Sequence, residues 1–66
     1  MPPKRLGMTI KKLRIRKELT QAQLAAKVPC HRIYIAQIEA GTKTPSIATL
    51  EKIAKAFNVK AGRLLE

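Results

Sequence analysis

The side chains that could support catalysis are few: Cys30, His31 and four glutamates at positions 18, 39, 51 and 66. Nucleophilic catalysis needs a base within reach of the nucleophile and a third group that orients the base. Cys30 and His31 are adjacent, but the glutamates are dispersed and form no carboxylate pair. A structural zinc needs four ligands, of which this dipeptide supplies two. The sequence therefore predicts no enzyme, no metal centre and no cofactor, and Cys30 reads as a small buried side chain. A different chemistry lies just beyond, in Arg32, Ile33, Ala36 and Gln37. On a helix with Ile35 at zero, Ile38 and Glu39 fall within about 60° of Ile35, whereas Ile33, Ala36, Gln37 and Ala40 gather ~100° to 200° away. That second face is uncharged on a chain whose net charge is +10. Such a surface suits base edges: the Gln37 amide pairs bidentately with adenine, and Ile33 or Ala36 rests on a thymine methyl. Arg32, at the start of the helix, reaches a guanine edge or a phosphate, and the residues alone leave that choice open.

Holding that face in place falls to the neighbouring elements. Thr20 to Gln23 spell a capping box that opens a short helix, and Pro29 ends it near Lys27. The reading helix follows from about Arg32 to Ala40, with Gly41 able to take the left-handed conformation beyond its end. Thr42 to Pro45 form a loop, Ser46 caps the next helix, and Ile47, Leu50, Ile53, Ala54 and Phe57 trace its apolar stripe to a stop at Asn58. A short fifth helix places Leu64 and Leu65 on one side. Upstream, the spacing predicts a first helix over residues 7–17 with Ile10, Leu13 and Ile15 on its apolar side. Met1 to Arg5 reads as a flexible basic arm preceding a single domain over residues 6–66. The fold class is all-α, a compact five-helix unit containing a helix-turn-helix.

Charge narrows the partners. Fourteen Lys and Arg oppose four Glu, and half of these cations (Lys4, Arg5, Lys11, Lys12, Arg14, Arg16 and Lys17) precede Glu18. A field of this sign favours polyanions. The apolar face of the first helix is too thin for an interfacial membrane helix, and no run approaches the ~20 residues of a membrane span. A lone cysteine forms no intrachain disulfide, in keeping with a reducing, cytoplasmic setting. Two aromatics, Tyr34 and Phe57, are too few for single-strand stacking.

The patterns "LTQAQLAAKV" and "YIAQIEAGTKTPSIATLEKIAKAFNV" together resemble the phage repressor and Cro family of helix-turn-helix proteins, the XRE type, over nearly the whole chain. The resemblance implies a five-helix domain that binds operator DNA as a homodimer and reads bases from the start and outer face of helix three. It assigns Arg32, Ile33 and Gln37 to base-reading positions, which Ala36 joins on the same face. It assigns Gln21 to a phosphate-contacting and buttressing role, and Thr42, Lys43 and Thr44 to the DNA backbone, to which Lys4 and Arg5 of the arm add charge. It also implies a largely buried ion pair between Arg14 and Glu39. The chain departs from the pattern at the turn, where Pro29, Cys30 and His31 replace a glycine, a small residue and a capping Ser or Thr. Pro29 excludes positive φ and His31 is a weak N-cap by type, so the turn must be rebuilt. Glu18 stands where a helix-ending glycine is common. The function implied is a sequence-specific duplex-DNA-binding transcriptional regulator, in the usual role a repressor at a near-palindromic operator. An antitoxin-like interaction module and a non-specific nucleic-acid-binding protein are the alternatives.

Overall fold

A computed structural model describes residues 3–65 and contains five helices in chain order: α1 (Pro3–Arg16), α2 (Gln21–Lys27), α3 (Arg32–Ala40), α4 (Ile47–Phe57) and α5 (Ala61–Leu64). Among the described residues there is no strand. α1 packs on α3 and α5, α2 on α3 and α4, and α4 on α5, around a core in which Ile10, Leu24, Ile35, Ile38, Ile53, Phe57 and Leu64 are fully buried.

The helix starts follow from local chemistry. The Thr20 hydroxyl accepts from the Gln23 N–H at 3.0 Å while the Gln23 side chain accepts from the Thr20 N–H at 2.8 Å, completing the capping box. The Ser46 hydroxyl accepts from the Thr49 N–H at 3.1 Å at the head of α4. α1 begins at Pro3 rather than near residue 7, so Lys4 and Arg5 are helical residues, not members of an arm. Proline is suited to the first helical position, and the early start buries Leu6 and Gly7. Met1 and Pro2, the rest of the expected arm, lie outside the described residues.

Three helices end in one way. Glu18, Gly41 and Asn58 adopt left-handed backbone with φ of 58°, 82° and 59°. In each case the following N–H bonds back five residues: Leu19 to Arg14, Thr42 to Gln37 and Val59 to Ala54, at 3.1, 3.0 and 2.9 Å. This is the Schellman geometry, which satisfies carbonyls left open at a helix end. Glycine and asparagine take it readily, whereas a glutamate is strained there. Glu18→Gly should therefore stabilise the protein by about 0.5–1 kcal/mol, after allowing for the looser unfolded chain. A urea midpoint that fell would contradict this.

Three residues expected on apolar faces are exposed. Ile15 is 56% exposed and Ile47 77% exposed, and Leu65 is half exposed while Leu64 is buried. Ile15 follows Ile10 by five residues, about 140° around the helix, and Leu65 follows Leu64 by about 100°, so neither pair shares a face. Ile47 does lie on the α4 stripe, but it is the first residue of that helix, where Ala48 is exposed as well and burial begins only at Leu50.

Candidate nucleic-acid interface

α3 has two faces, as its sequence implied. Ile35, Ile38 and Glu39 are buried, Arg32, Ile33 and Ala40 are exposed, and Ala36 and Gln37 are half-buried at the border. Ile33 is 56% exposed, a large β-branched side chain with no core to join. The side chains of Arg32 and Gln37 hydrogen-bond to nothing among the described residues, leaving their donors available.

The inner face is fixed by a polar hub. Arg14 Nε donates to Glu39 Oε2 at 2.6 Å and Nη2 to Oε1 at 3.2 Å, while Nη1 donates to the Leu19 carbonyl at 2.7 Å. Gln21 Nε2 donates to Glu39 Oε1 at 3.0 Å. The Glu39 carboxylate at the end of α3 therefore ties down α1 and α2, and Arg14 also holds the link between them. The pair is well desolvated, with side-chain exposures of 12% for Arg14 and 3% for Glu39. Among the described residues no buried side-chain polar atom lacks a partner.

Gln21 thus commits one amide hydrogen to Glu39 and braces α3. The loop after α3 leaves Thr42, Lys43 and Thr44 exposed, although the Thr42 hydroxyl donates to the Gln37 carbonyl at 3.2 Å. Lys4 lies beside this loop: a Cβ built on Gly41 would stand 2.9 Å from both Lys4 Cα and Lys4 Cγ. The first turn of α1 and the end of α3 therefore form one edge, with Lys4 and Lys43 both exposed near it. Arg5 is also exposed in the first turns of α1.

The turn before α3 is built without a glycine. Val28 stays in right-handed helical geometry and the Val28–Pro29 peptide is cis. The Cys30 N–H bonds to the Ala25 carbonyl at 2.8 Å, folding the turn back on α2. His31, expected to be a weak cap, does cap α3: its Nδ1 accepts from the Ile33 N–H at 3.1 Å. A neutral imidazole nitrogen two bonds from Cβ stands in for the usual oxygen acceptor. Cys30 is half-buried against the core, and burial pushes its thiol up from its ordinary value, which disfavours the reactive thiolate.

The residue that sequence reasoning missed is Gly7. A Cβ there would fall on the Ile38 carbonyl oxygen and lie 2.8 Å from that of Glu39, because the α1 backbone crosses directly over the last turn of α3. A glycine inside a helical pattern costs about 1 kcal/mol against alanine, so its presence was itself a signal of close approach.

Among the described residues no helix is long and apolar enough to cross a membrane, and no group of His, Cys, Asp or Glu could hold a metal ion. Comparison with known proteins gives a consistent set. The sequence profile of the helix-turn-helix family HTH_3 matches residues 10–64. The chain is 38% identical over 60 residues to the immunity repressor protein of Bacillus phage phi105, covering 91% of this chain and 42% of that one. It is 38% identical over 61 residues to control protein C.BamHI of Bacillus amyloliquefaciens, covering 91% and 75%. The crystal structure of SinR, a master regulator for biofilm formation, in complex with DNA superposes with a TM-score of 0.88 at 32% identity, over 92% of this chain and 98% of that one.

Proposed function

The chain belongs to the helix-turn-helix family HTH_3, and from that premise we propose that it is a sequence-specific duplex-DNA-binding transcriptional regulator, acting as a repressor. The observation that carries this reading is the outer face of α3: uncharged, with Ile33 exposed and the Gln37 amide unpartnered, on a chain of net charge +10. Bases are read by Arg32, Ile33, Ala36 and Gln37, and phosphates are held by Lys43, its neighbours Thr42 and Thr44, and Lys4 and Arg5. Gln21 supports α3 through one Nε2 hydrogen on Glu39 and has a second for the DNA backbone. Such a protein works by binding, in the cytoplasm, and no catalytic role is assigned to any residue.

It acts as a homodimer on a near-palindromic site. Half-sites on one side of the duplex are ~34 Å apart, and the longest dimension of a single copy is 25 Å. One copy therefore covers one half-site.

Selection of binding sites from a random duplex pool tests the reading directly. Gln37→Ala should then cost about 1–3 kcal/mol on the selected site and little on random duplex, since a base-edge contact carries sequence information. Lys43→Ala should weaken both alike and reduce the salt slope by about one, because a lost phosphate contact no longer releases its counterion. Uracil in place of one thymine per half-site should mimic Ile33→Ala. A pool that enriches no motif would leave only charge-driven binding and refute the assignment.

A further inference from the structure

The turn residue His31 does more than cap. Because its Nδ1 accepts the Ile33 N–H, that nitrogen carries no proton, and the neutral ring must hold its proton on Nε2. The ring is pinned at the head of α3 by this bond, and the residue is exposed. Nε2 occupies the opposite edge of the imidazole, away from the helix backbone, and meets no partner among the described residues. A serine or threonine cap would end at its hydroxyl. Histidine satisfies the same backbone donor and adds a rigid N–H donor beyond it, beside Arg32 and Ile33.

We propose that His31 is a specificity-determining residue whose Nε2–H donates to the N7 of a purine in the major groove. This rests on the reading that α3 enters that groove. A lone N–H donor is satisfied by purine N7 and is opposed by the cytosine amino group, so it separates purine from cytosine at one position. It does not distinguish adenine from guanine, which both carry N7. The contact is neutral, so it adds selectivity without adding to the salt dependence. The proline-containing turn and the histidine cap thereby serve one end: a helix head closed by a side chain that still has a donor to offer.

Two variants separate reading from capping. His31→Thr and His31→Ser keep an oxygen for the Ile33 N–H and remove the ring N–H donor beyond it. Both should retain the melting temperature of the parent. Each should bind the selected duplex roughly five- to tenfold more weakly, the range of one hydrogen bond, with no change on random duplex. Wild-type protein should lose the same factor on a selected duplex carrying a 7-deazapurine at one position per half-site, and the variants should lose nothing further on it. Nitrogen NMR of the free protein should find the ring protonated at Nε2. A ring protonated at Nδ1, or variants that bind the selected site as well as the parent, would reduce His31 to a cap. Equal losses on selected and random duplex would move the contact to a phosphate and overturn the base assignment. Failure of the groove reading is distinguishable, because Gln37→Ala and Ile33→Ala would then also be without effect on the selected site.

Discussion

Arg14→Ala should be among the most damaging single substitutions in this protein, costing about 3–5 kcal/mol. Removing the guanidinium leaves the Glu39 carboxylate, only 3% exposed, with Gln21 as its one remaining donor. Glu39→Ala should fall at the lower end of that range, because Arg14 keeps the Leu19 carbonyl and, at 12% exposure, can turn to water. Replacing both residues with apolar side chains of similar volume should approach neutrality, as the desolvation of two charges offsets much of their attraction. Urea unfolding of the four proteins forms a double-mutant cycle that reads the coupling. Small and equal losses for the two single variants would show that the pair contributes little. The circular dichroism of each variant at zero denaturant confirms that a folded baseline exists.

Gly7→Ala gives the second large effect, and its sign runs against helix propensity. Alanine inside a helix is worth about 1 kcal/mol over glycine. At Gly7 the added methyl meets the carbonyl oxygens of Ile38 and Glu39, main-chain atoms that cannot swing aside as a flexible side chain would. Overpacking of this kind costs about 1–3 kcal/mol or more, so the net change should be a loss, and Gly7→Val should be worse. For a domain of this size each kcal/mol lowers the melting temperature by about 4–8 °C. Gly62→Ala provides the control: the same substitution in α5 meets nothing within 4 Å and should stabilise by about 0.5–1 kcal/mol. If both variants moved in the same direction, close approach of α1 to α3 would not be what keeps glycine at position 7.

The features legible in the sequence were those whose cause is local. The Thr20–Gln23 box, the Ser46 cap and the left-handed stops at Gly41 and Asn58 each depend on a few consecutive residues, and all four helix boundaries lie where those signals stand. The two faces of α3 were also legible, because helical period alone divides Ile35 and Ile38 from Ile33. Features set by tertiary packing were not. Ile47 has the right angle for the core, yet nothing in its neighbours' identities says where α2 and α5 stop covering α4. Gly7 is explained by main chain that lies more than thirty positions away. His31 was misjudged for another reason: average capping preference ranks residue types, whereas the actual cap depends on which ring nitrogen reaches the Ile33 N–H.

The division of α3 into a fixed inner face and an idle outer one has an evolutionary consequence. Ile35, Ile38 and Glu39 anchor the helix, while Arg32 and Ile33, two of the proposed base readers, are exposed and leave the core intact when exchanged. Surface replacements of that kind move stability by only about 0.5 kcal/mol in either direction. In a regulator that reads duplex with this face, mutations at those positions can redirect operator choice while the fold stays above the stability threshold that most other substitutions erode. Duplicated copies of such a gene can therefore drift to separate targets within one cell through a few exchanges on a single helix, with no compensating change elsewhere in the chain.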